Sequence, residues 1–353
     1  MPLTTWPTLI GDLLAGTDLS VSESTWAMER IMTGQVSDAQ LAGFLIALRR
    51  KGETVDEIVG FRDAILDHAK PLVAPSRALD IVGTGGDRFG TVNISTTASI
   101  VAAATGIPVI KHGNRAASSA SGSSDVLSAL GVDLALPTDL VGEVLASTGI
   151  TFAYAAAFHP GFGHAGAVRA ELGVPTVFNF LGPLVNPARP EASAVGVAHA
   201  DRIPLFVGVF QTRGATALVF RGDDGLDELT TTGHSHLWEV TRGAVTEHDL
   251  DPRELGIRRA SIDDLIGGDA QHNAGVVRAT LAGEEGPVRD IVLLNAAAGI
   301  VAFELSEDPT QAQRPILERF AAALVSAAAV IDSGAATATL DAWVDATRSL
   351  GSR

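Results

Sequence analysis

Two segments rich in glycine and serine carry residues that could bind phosphate. The first reads GTGGD at 83–87 after an apolar stretch, and TVNIST follows at 91–96, where a helix is predicted to begin. Glycines let backbone N–H groups converge on an anion, and a helix N-terminus adds partial positive charge. The alternative interpretation is an ordinary glycine turn followed by a helix capped by Ser or Thr, which would have the same sequence pattern. The segment lacks the GK[ST] of a Walker A loop, and Arg88 at the third glycine position leaves the dinucleotide fingerprint incomplete.

The second segment reads KHGNR at 111–115 and continues with SGSSD at 121–125, before another predicted helix. It also follows a predicted strand, and ligands of open α/β sheets bind at the carboxyl ends of strands. Lys111 is one of only three lysines, with Lys51 and Lys70, among 25 basic residues. A lysine offers a compact charge for a phosphate, although a surface lysine is the other interpretation.

A third segment, DDGLDE at 223–228, is acidic and also follows a predicted strand. Carboxylates on a loop suit magnesium that keeps several waters and bridges to substrate phosphates. A solvated acidic turn is the alternative for such a run in isolation. Beside two predicted phosphate loops, we favour the magnesium site.

Two further residues could contact an acceptor molecule. Arg169 lies on a predicted helix, and an arginine can hold a planar carboxylate through two parallel hydrogen bonds. His159 lies in the His-Pro pair that precedes this helix. A helix-surface arginine and a packed loop histidine are the alternatives, and the residues alone do not choose between them.

The elements that must position these residues fall into two parts. Residues 1–70 are predicted to form amphipathic helices, and the prolines at 71 and 75 mark a boundary. Residues 77–353 alternate short apolar strands with helices, which predicts a mainly parallel sheet in an α/β domain. A helix near 165–172 and a proline-interrupted stretch to about 190 are predicted to leave the sheet and join the helical domain. The predicted strands are 79–82, 108–110, 194–197, 217–220 and 291–294, and the predicted helices of this part include 96–104, 125–130 and 314–330.

Composition narrows the possible partners. The chain has 353 residues, 46% of them hydrophobic, and a formal net charge of −16. This charge opposes nonspecific binding to nucleic acid and to anionic membranes. The chain contains no cysteine, so disulfides and thiolate-ligated zinc are excluded. We find no leader and no apolar run suited to spanning a bilayer, and we expect a soluble, cytoplasmic enzyme.

Taken together, the motifs resemble those of the anthranilate phosphoribosyltransferase family, in the family's order and over nearly the whole chain. KHGNR separates this family from the pyrimidine nucleoside phosphorylases, which share its fold. The matching segments are QLAGFLIALRRKGET at 40–54, GTGGD at 83–87, NIST at 93–96, KHGNR at 111–115, SGSSDVL at 121–127, VFNFLGPLVNPA at 177–188, DGLDE at 224–228 and GGDAQHNA at 267–274.

The resemblance implies a small helical domain hinged to a larger α/β domain, and a homodimer joined through the helical domains. It also implies a magnesium-dependent transfer, in tryptophan biosynthesis, of the phosphoribosyl group from phosphoribosyl pyrophosphate to anthranilate. The donor would lie on the α/β domain, and anthranilate would approach between the domains.

The resemblance also assigns individual residues of this chain. Lys111, Asn114 and Arg169 match the family's catalytic positions, and Ser95, Asp227 and Glu228 match its magnesium positions. The positions that match groups around anthranilate are Gly83, His112, Asn114, His159 and Arg169. The positions that match groups around phosphoribosyl pyrophosphate are Gly83, Gly86, Asp87, Thr91, Asn93, Ile94, Ser95, Thr96, Lys111, Ser118, Ser119 and Ser123.

The chain departs from the family near the acceptor path. Many relatives read FAP before the His-Pro pair, where this chain has Tyr154, Ala155 and Ala156. Gly161 and Gly163 replace larger or basic residues after the pair. These departures leave two alternatives open: transfer to another aromatic amine or aminobenzoate, and a non-catalytic protein that binds the donor for regulation.

Overall fold

The computed structural model describes residues 4–115 and 121–351, so the predicted donor-binding Ser118 and Ser119 lie outside the described residues. The N-terminal part forms four helices. They are α1 (Trp6–Leu14), α2 (Val21–Met32), α3 (Asp38–Lys51) and α4 (Val55–Asp67).

Local capping explains where three of these helices begin. Ser20, Ser37 and Thr54 each accept a hydrogen bond from a backbone N–H of the first turn, and a Glu or Gln three residues later bonds back. Close packing then joins the helices to one another. A Cβ at Gly60 of α4 would lie 2.5 Å from the carbonyl oxygen of Val21, so only glycine allows α2 and α4 to approach this closely.

The rest of the chain is built on one seven-stranded sheet. The strands are β1 (Leu79–Gly83), β2 (Val109–Gly113), β3 (Ile150–Tyr154), β4 (Ala192–Gly196), β5 (Thr216–Gly222), β6 (Ser235–Thr241) and β7 (Ala244–Leu250). Their order is β3-β2-β1-β4-β5-β6-β7, parallel from β3 to β5 and antiparallel at β6 and β7. The prediction of a mainly parallel sheet in an α/β domain is confirmed.

Among the described residues, ten α-helices accompany this sheet. They are α5 (Ile94–Ala104), α6 (Ser123–Leu130), α7 (Val141–Thr148), α8 (Ala155–Phe158), α9 (Gly166–Leu172), α10 (Ile203–Arg213), α11 (Ala270–Leu281), α12 (Pro287–Glu307), α13 (Ile316–Asp332) and α14 (Ala335–Gly351). The predicted strand at 291–294 is wrong, because these residues lie inside α12. A four-residue apolar run fits a buried helix as well as a strand, and only the 21-residue length of α12 distinguishes them.

Two apolar cores lie on the two sides of the sheet. Helices α5, α12, α13 and α14 contribute to the first. The second joins the N-terminal helices to α10 and to the segment after α9, where Phe178 and Leu181 pack. Arg49 of α3 also donates a hydrogen bond to the carbonyl of Pro175, at 2.5 Å. The segment between β3 and β4 therefore packs with the N-terminal helices.

In the described part of the chain, no helix by itself has the length and apolar character needed to cross a membrane. Helices α13 and α14 meet those criteria only as a pair, which is bent by 67°.

Candidate active site

The predicted phosphate-binding and acidic segments meet at one edge of the sheet. Strands β1, β2 and β4 run parallel, and Gly83 is paired with Gly196 at their carboxyl ends. The loop after β5 folds back over these ends. A Cβ at Gly196 would lie 1.7 Å from the carbonyl oxygen of Asp227, and one at Gly83 would lie 2.2 Å from its carboxylate. Two glycines therefore allow the acidic loop to lie directly on the phosphate loop.

Two glycines of the GTGGD loop adopt backbone angles that other residues rarely adopt. Gly85 and Gly86 have φ angles of 68° and 91°, in the left-handed region that favours glycine. The N–H of Gly85 donates to Oδ2 of Asp227 at 2.6 Å. The side chain of Asp87 remains beside Asp227, close enough for its charge to raise the pKa of Asp227.

Helix α5 begins at Ile94, directly after this loop. Ile94 and Thr96 are buried, so these two predicted donor-binding residues offer mainly their backbone groups to the cleft. Thr91, Asn93 and Ser95 are half-buried. The start of α5 carries the partial positive charge of a helix N-terminus, which favours an anion.

The acidic pair is buried. Burial, followed by the charge of Asp87, raises the pKa of Asp227 to about 7. Burial, followed by the charge of Asp227, raises the pKa of Glu228 well above its usual value. Oε1 of Glu228 accepts a hydrogen bond from the N–H of Ser95 at 3.2 Å, so the three predicted magnesium ligands lie together.

These residues fit a magnesium ion that bridges to a substrate. Within residues 4–115 and 121–351 no cluster of three histidine or acidic side chains forms a complete metal cage. Magnesium bound to substrate phosphates keeps several waters and needs only one or two carboxylates. Oxygen donors that repel one another, as Asp227 and Glu228 do, are also the set that a divalent cation would stabilise.

Lys111 lies behind the donor loops instead of on their surface. Its side chain is 2% exposed, and its Nζ donates to the carbonyl of Ile81 at 2.7 Å and to Oγ of Ser95 at 3.4 Å. Burial lowers the pKa of Lys111, and the negative charges of Asp80, Glu228 and Asp227 oppose this shift. Its ammonium group therefore acts on the site through its bond to Ser95 and through its charge, which lies near Asp227 and Glu228.

Asp80 supports the KHGNR segment and is not among the residues predicted from the sequence. Its Oδ1 accepts from the N–H of His112 at 3.1 Å, and its Oδ2 accepts from Nδ2 of Asn186 at 2.9 Å. Burial raises the pKa of Asp80 to about 6. The available signal was the spelling LDIV at 79–82, in which an aspartate interrupts a buried apolar strand.

The predicted acceptor residues His112 and His159 form one buried group. Their rings meet edge to face at 5.4 Å, and Nδ1 of His112 donates to the carbonyl of Gly182 at 3.0 Å. Because a carbonyl only accepts, Nδ1 carries the proton and Nε2 does not. Asn114 is exposed at the end of β2, where its carbonyl accepts from the N–H of Ser124 and Oγ of Ser123, both at 3.3 Å.

Arg169 is half-buried on α9 and lies over the ring of Phe178 at 5.2 Å. Burial lowers its pKa. Among the described residues, no carboxylate pairs with its guanidinium group. A half-buried guanidinium group without a carboxylate partner is suited to a ligand that carries one.

The departures from the family near this group have different explanations. A Cβ at Gly161 would lie 2.8 Å from the carbonyl oxygen of Met32, so packing against α2 requires glycine there. Gly163 has open space around it, and Ala156 is exposed. Packing therefore explains Gly161 but not Gly163 or Ala156.

The buried histidines give a prediction about stability. Burial lowers the pKa of His159 to about 4 and that of His112 to about 3, whereas an unfolded histidine titrates near 6.5. Below pH 6.5 the histidine therefore binds a proton in the unfolded chain but stays neutral in the folded chain. As the pH falls, each histidine lowers the free energy of unfolding by up to about 1.4 kcal/mol per pH unit. Replacing His159 with Gln should remove one such contribution.

The measurement is urea unfolding of the native protein and of His159→Gln between pH 5 and 8. The free energy of unfolding of the variant, relative to that of the native protein, should be about 2 kcal/mol higher at pH 5 than at pH 7. Between pH 7 and 8 the difference should stay constant, which provides the internal control. A difference that is the same at pH 5 and pH 7 would contradict a lowered pKa for His159.

Comparisons with known proteins agree with this architecture. Residues 7–69 match a family described as "Glycosyl transferase family, helical bundle domain", and residues 75–337 match "Glycosyl transferase family, a/b domain". The anthranilate phosphoribosyltransferase of Leifsonia xyli subsp. xyli is 72% identical over 97% of this chain and 98% of its own.

Solved structures give the same result. The crystal structure of anthranilate phosphoribosyltransferase from Thermus thermophilus superposes with a TM-score of 0.87 at 41% identity, covering 96% of this chain and 99% of that one. The Saccharomyces cerevisiae enzyme in complex with PRPP and Mg superposes with a TM-score of 0.87 at 27% identity, covering 98% of both chains.

Proposed function

This chain belongs to the anthranilate phosphoribosyltransferase family, and from that premise we propose that it transfers the phosphoribosyl group of phosphoribosyl pyrophosphate to anthranilate. The products are N-(5-phosphoribosyl)anthranilate and pyrophosphate, and the reaction belongs to tryptophan biosynthesis. The observation that carries the proposal is the contact between the GTGGD loop and the buried pair Asp227 and Glu228. There the two carboxylates, as oxygen donors for magnesium, accept from the N–H groups of Gly85 and Ser95, in the loop and at the helix start predicted to bind the donor.

The α/β domain would bind the donor. Backbone N–H groups of the GTGGD loop and of the start of α5 would receive its phosphates, and Ser95 and Ser123 offer hydroxyls. Asp227, Glu228 and Ser95 would hold Mg²⁺, which when bound neutralises charge on the pyrophosphate group. Lys111, behind Ser95, adds positive charge to the same region.

The acceptor side needs no general base. The amine of anthranilate is an aniline nitrogen, which is neutral at pH 7 and can attack the anomeric carbon directly. The C–N bond forms as the C–O bond breaks, the electron pair leaves with pyrophosphate, and the amine releases its proton afterwards. His112 and His159 are neutral at pH 7 because burial lowers the pKa of both. They therefore shape the acceptor site without charging it, and catalysis rests on positioning and on stabilising the leaving group.

Arg169 would hold the carboxylate of anthranilate, since its guanidinium group lacks a carboxylate partner among the described residues. Asn114, exposed at the end of β2, would aim the amine. Ala156 and Gly163 keep one alternative open, which is transfer to a different aromatic amine or aminobenzoate. The non-catalytic alternative would retain the donor loops and lack turnover.

We also propose the family's assembly, a homodimer through the helical domains. The N-terminal helices and the segment after α9 carry exposed apolar side chains, with exposed fractions of 72% at Leu14, 41% at Ile46 and 43% at Val174. Such side chains gain free energy when a partner covers them. The lack of cysteine suits the reducing cytoplasm, where we place the reaction.

The test is pyrophosphate release from phosphoribosyl pyrophosphate with Mg²⁺ and a small panel of acceptors. Release with anthranilate supports the proposal. Release only with another aromatic amine supports a changed acceptor. Donor binding without release from any acceptor supports the regulator and contradicts the proposed activity.

A further inference from the structure

The GGDAQHNA segment at 267–274 has no part in the chemistry proposed above, yet it lies against the donor loop. Thr91 and Ile266 form an antiparallel bridge. The N–H of Val92 donates to the carbonyl of Leu265 at 2.9 Å, and the N–H of Gly267 donates to the carbonyl of Gly90 at 2.8 Å. The chain at 265–267 therefore pairs with the stretch between the GTGGD loop and α5.

Asn273, on the first turn of α11, is buried behind this pairing at 1% exposure. A Cβ at Gly267 would lie 2.8 Å from its Oδ1 and 2.9 Å from the carbonyl oxygen of Thr91. Glycine at 267 thus lets the donor loop and the Asn273 side chain come together. A buried carboxamide needs partners for its donors and its acceptor, and these partners show what it orients.

A chain of three hydrogen bonds runs from this segment to the second phosphate segment. The N–H of Gly268 donates to Oδ1 of Asn273 at 2.8 Å, and Nδ2 of Asn273 donates to Oδ1 of Asn93 at 2.9 Å. Nδ2 of Asn93 then donates to the carbonyl of Ser121 at 3.2 Å.

The donors and acceptors of these three hydrogen bonds allow only one orientation of the two carboxamides. A backbone N–H can only donate and a carbonyl can only accept, so the groups of Gly268 and Ser121 set the direction at both ends. Turning either carboxamide around would place two acceptors or two donors against each other. The Asn93 amide is therefore held from two sides, by the carbonyl of Ser121 and by Asn273, which is 180 residues away in sequence.

We propose that Asn273 is a positioning residue for the phosphoribosyl donor. By holding Oδ1 of Asn93, it keeps the amide nitrogen of Asn93 on the side of the serine-rich segment. The second N–H of that nitrogen is then available to an oxygen of the donor. The inference rests on the proposed function, which assigns Asn93 to the donor site. Asn273 itself touches no substrate.

The first test is Asn273→Leu, which is neutral, similar in size and unable to hydrogen bond. The Asn93 amide then keeps only its bond to the carbonyl of Ser121 and is held less firmly, and we expect the KM for phosphoribosyl pyrophosphate to rise about tenfold. The KM for anthranilate should stay within about twofold of the native value. Calorimetric titration of phosphoribosyl pyrophosphate with Mg²⁺ and no acceptor should show the same loss of affinity.

A second variant keeps the test valid if Asn273→Leu does not fold. Asn273→Asp preserves the shape and the bond from Gly268 but presents an acceptor to Oδ1 of Asn93, so the Asn93 amide loses this partner and keeps only the carbonyl of Ser121. It should lose at least as much donor affinity as Asn273→Leu. The control for general destabilisation is Thr347→Val on α14, which removes the buried acceptor of the Asp133 N–H. That variant should lower the melting temperature and leave both KM values unchanged.

The inference is overturned if both Asn273 variants bind the donor as the native protein does. It is also overturned if the two KM values rise by the same factor, because that is the result of a structural role alone. A native protein that binds the donor but fails to turn over anthranilate would contradict the proposed function, and the binding titration would still decide the role of Asn273.

Discussion

Replacing Asp227 with Asn and Glu228 with Gln together should reduce turnover by roughly 10³-fold or more and leave the protein folded. Both carboxylates are buried, Asp87 raises the pKa of Asp227 and Asp227 raises the pKa of Glu228, so neutral amides remove a repulsion from the folded state. The amide oxygens can still accept from the N–H groups of Gly85 and Ser95. Magnesium, by contrast, loses its charged ligands.

The measurements are kcat at saturating phosphoribosyl pyrophosphate, thermal unfolding, and calorimetric titration of Mg²⁺ with the donor present. Asp223→Asn is a matched control from the same acidic run, because that carboxylate is exposed and pairs with His236 at 3.1 Å. It should keep nearly native activity. Near-native turnover in the double variant would show that the assignment of Asp227 and Glu228 to magnesium is wrong.

Arg169→Lys and Arg169→Ala should both raise the KM for anthranilate, by roughly 10- to 100-fold, with little change in the KM for the donor. The physical reason is the shape of the guanidinium group. Its planar fork makes two parallel bonds to a carboxylate, and the single ammonium point of lysine cannot reproduce them. Among the described residues no carboxylate pairs with the guanidinium group. Removing the group should therefore weaken the binding of anthranilate and leave the protein's own ion pairs intact.

The decisive comparison crosses these variants with aniline, which lacks the carboxylate. Aniline should be a poor substrate for the native enzyme and should lose little more in the variants. Arg30→Lys is the control, because Arg30 also stacks on a ring, that of Trp26 at 3.9 Å, and lies on α2 in the helical domain. Equal penalties on aniline and anthranilate in Arg169→Ala would make Arg169 structural. Ala156 and Gly163 would then be reasons to search for another acceptor.

The local parts of the site could be predicted from the sequence. The glycines of GTGGD permit left-handed backbone, and Gly85 and Gly86 adopt it in the structure. The capping signal at Ser37 places the start of α3, and the alternation of strands and helices indicates the parallel sheet. These features depend on residues within a few positions of one another, so the spelling of a short segment is sufficient.

Short apolar runs were harder to assign. Residues 291–294 belong to α12, and β3 was not predicted at all. Strands β6 and β7 were also missed, because charged residues such as Glu239 and His248 interrupt them. A run of four or five residues contains too few side chains to distinguish the repeat of a helix from that of a strand. Burial by distant elements then decides which of the two forms.

The support behind the site was decided by the tertiary structure alone. Asp80 bonds to Asn186, 106 residues away, and Asn273 orients Asn93 across 180. Lys111 could be selected by its rarity, but its position behind Ser95 depends on where β1 and α5 lie relative to β2. The motifs predict which residues carry the chemistry and which loops hold them. How each side chain is turned and buried follows from hydrogen bonds between segments far apart in the chain, whose pairing no short motif encodes.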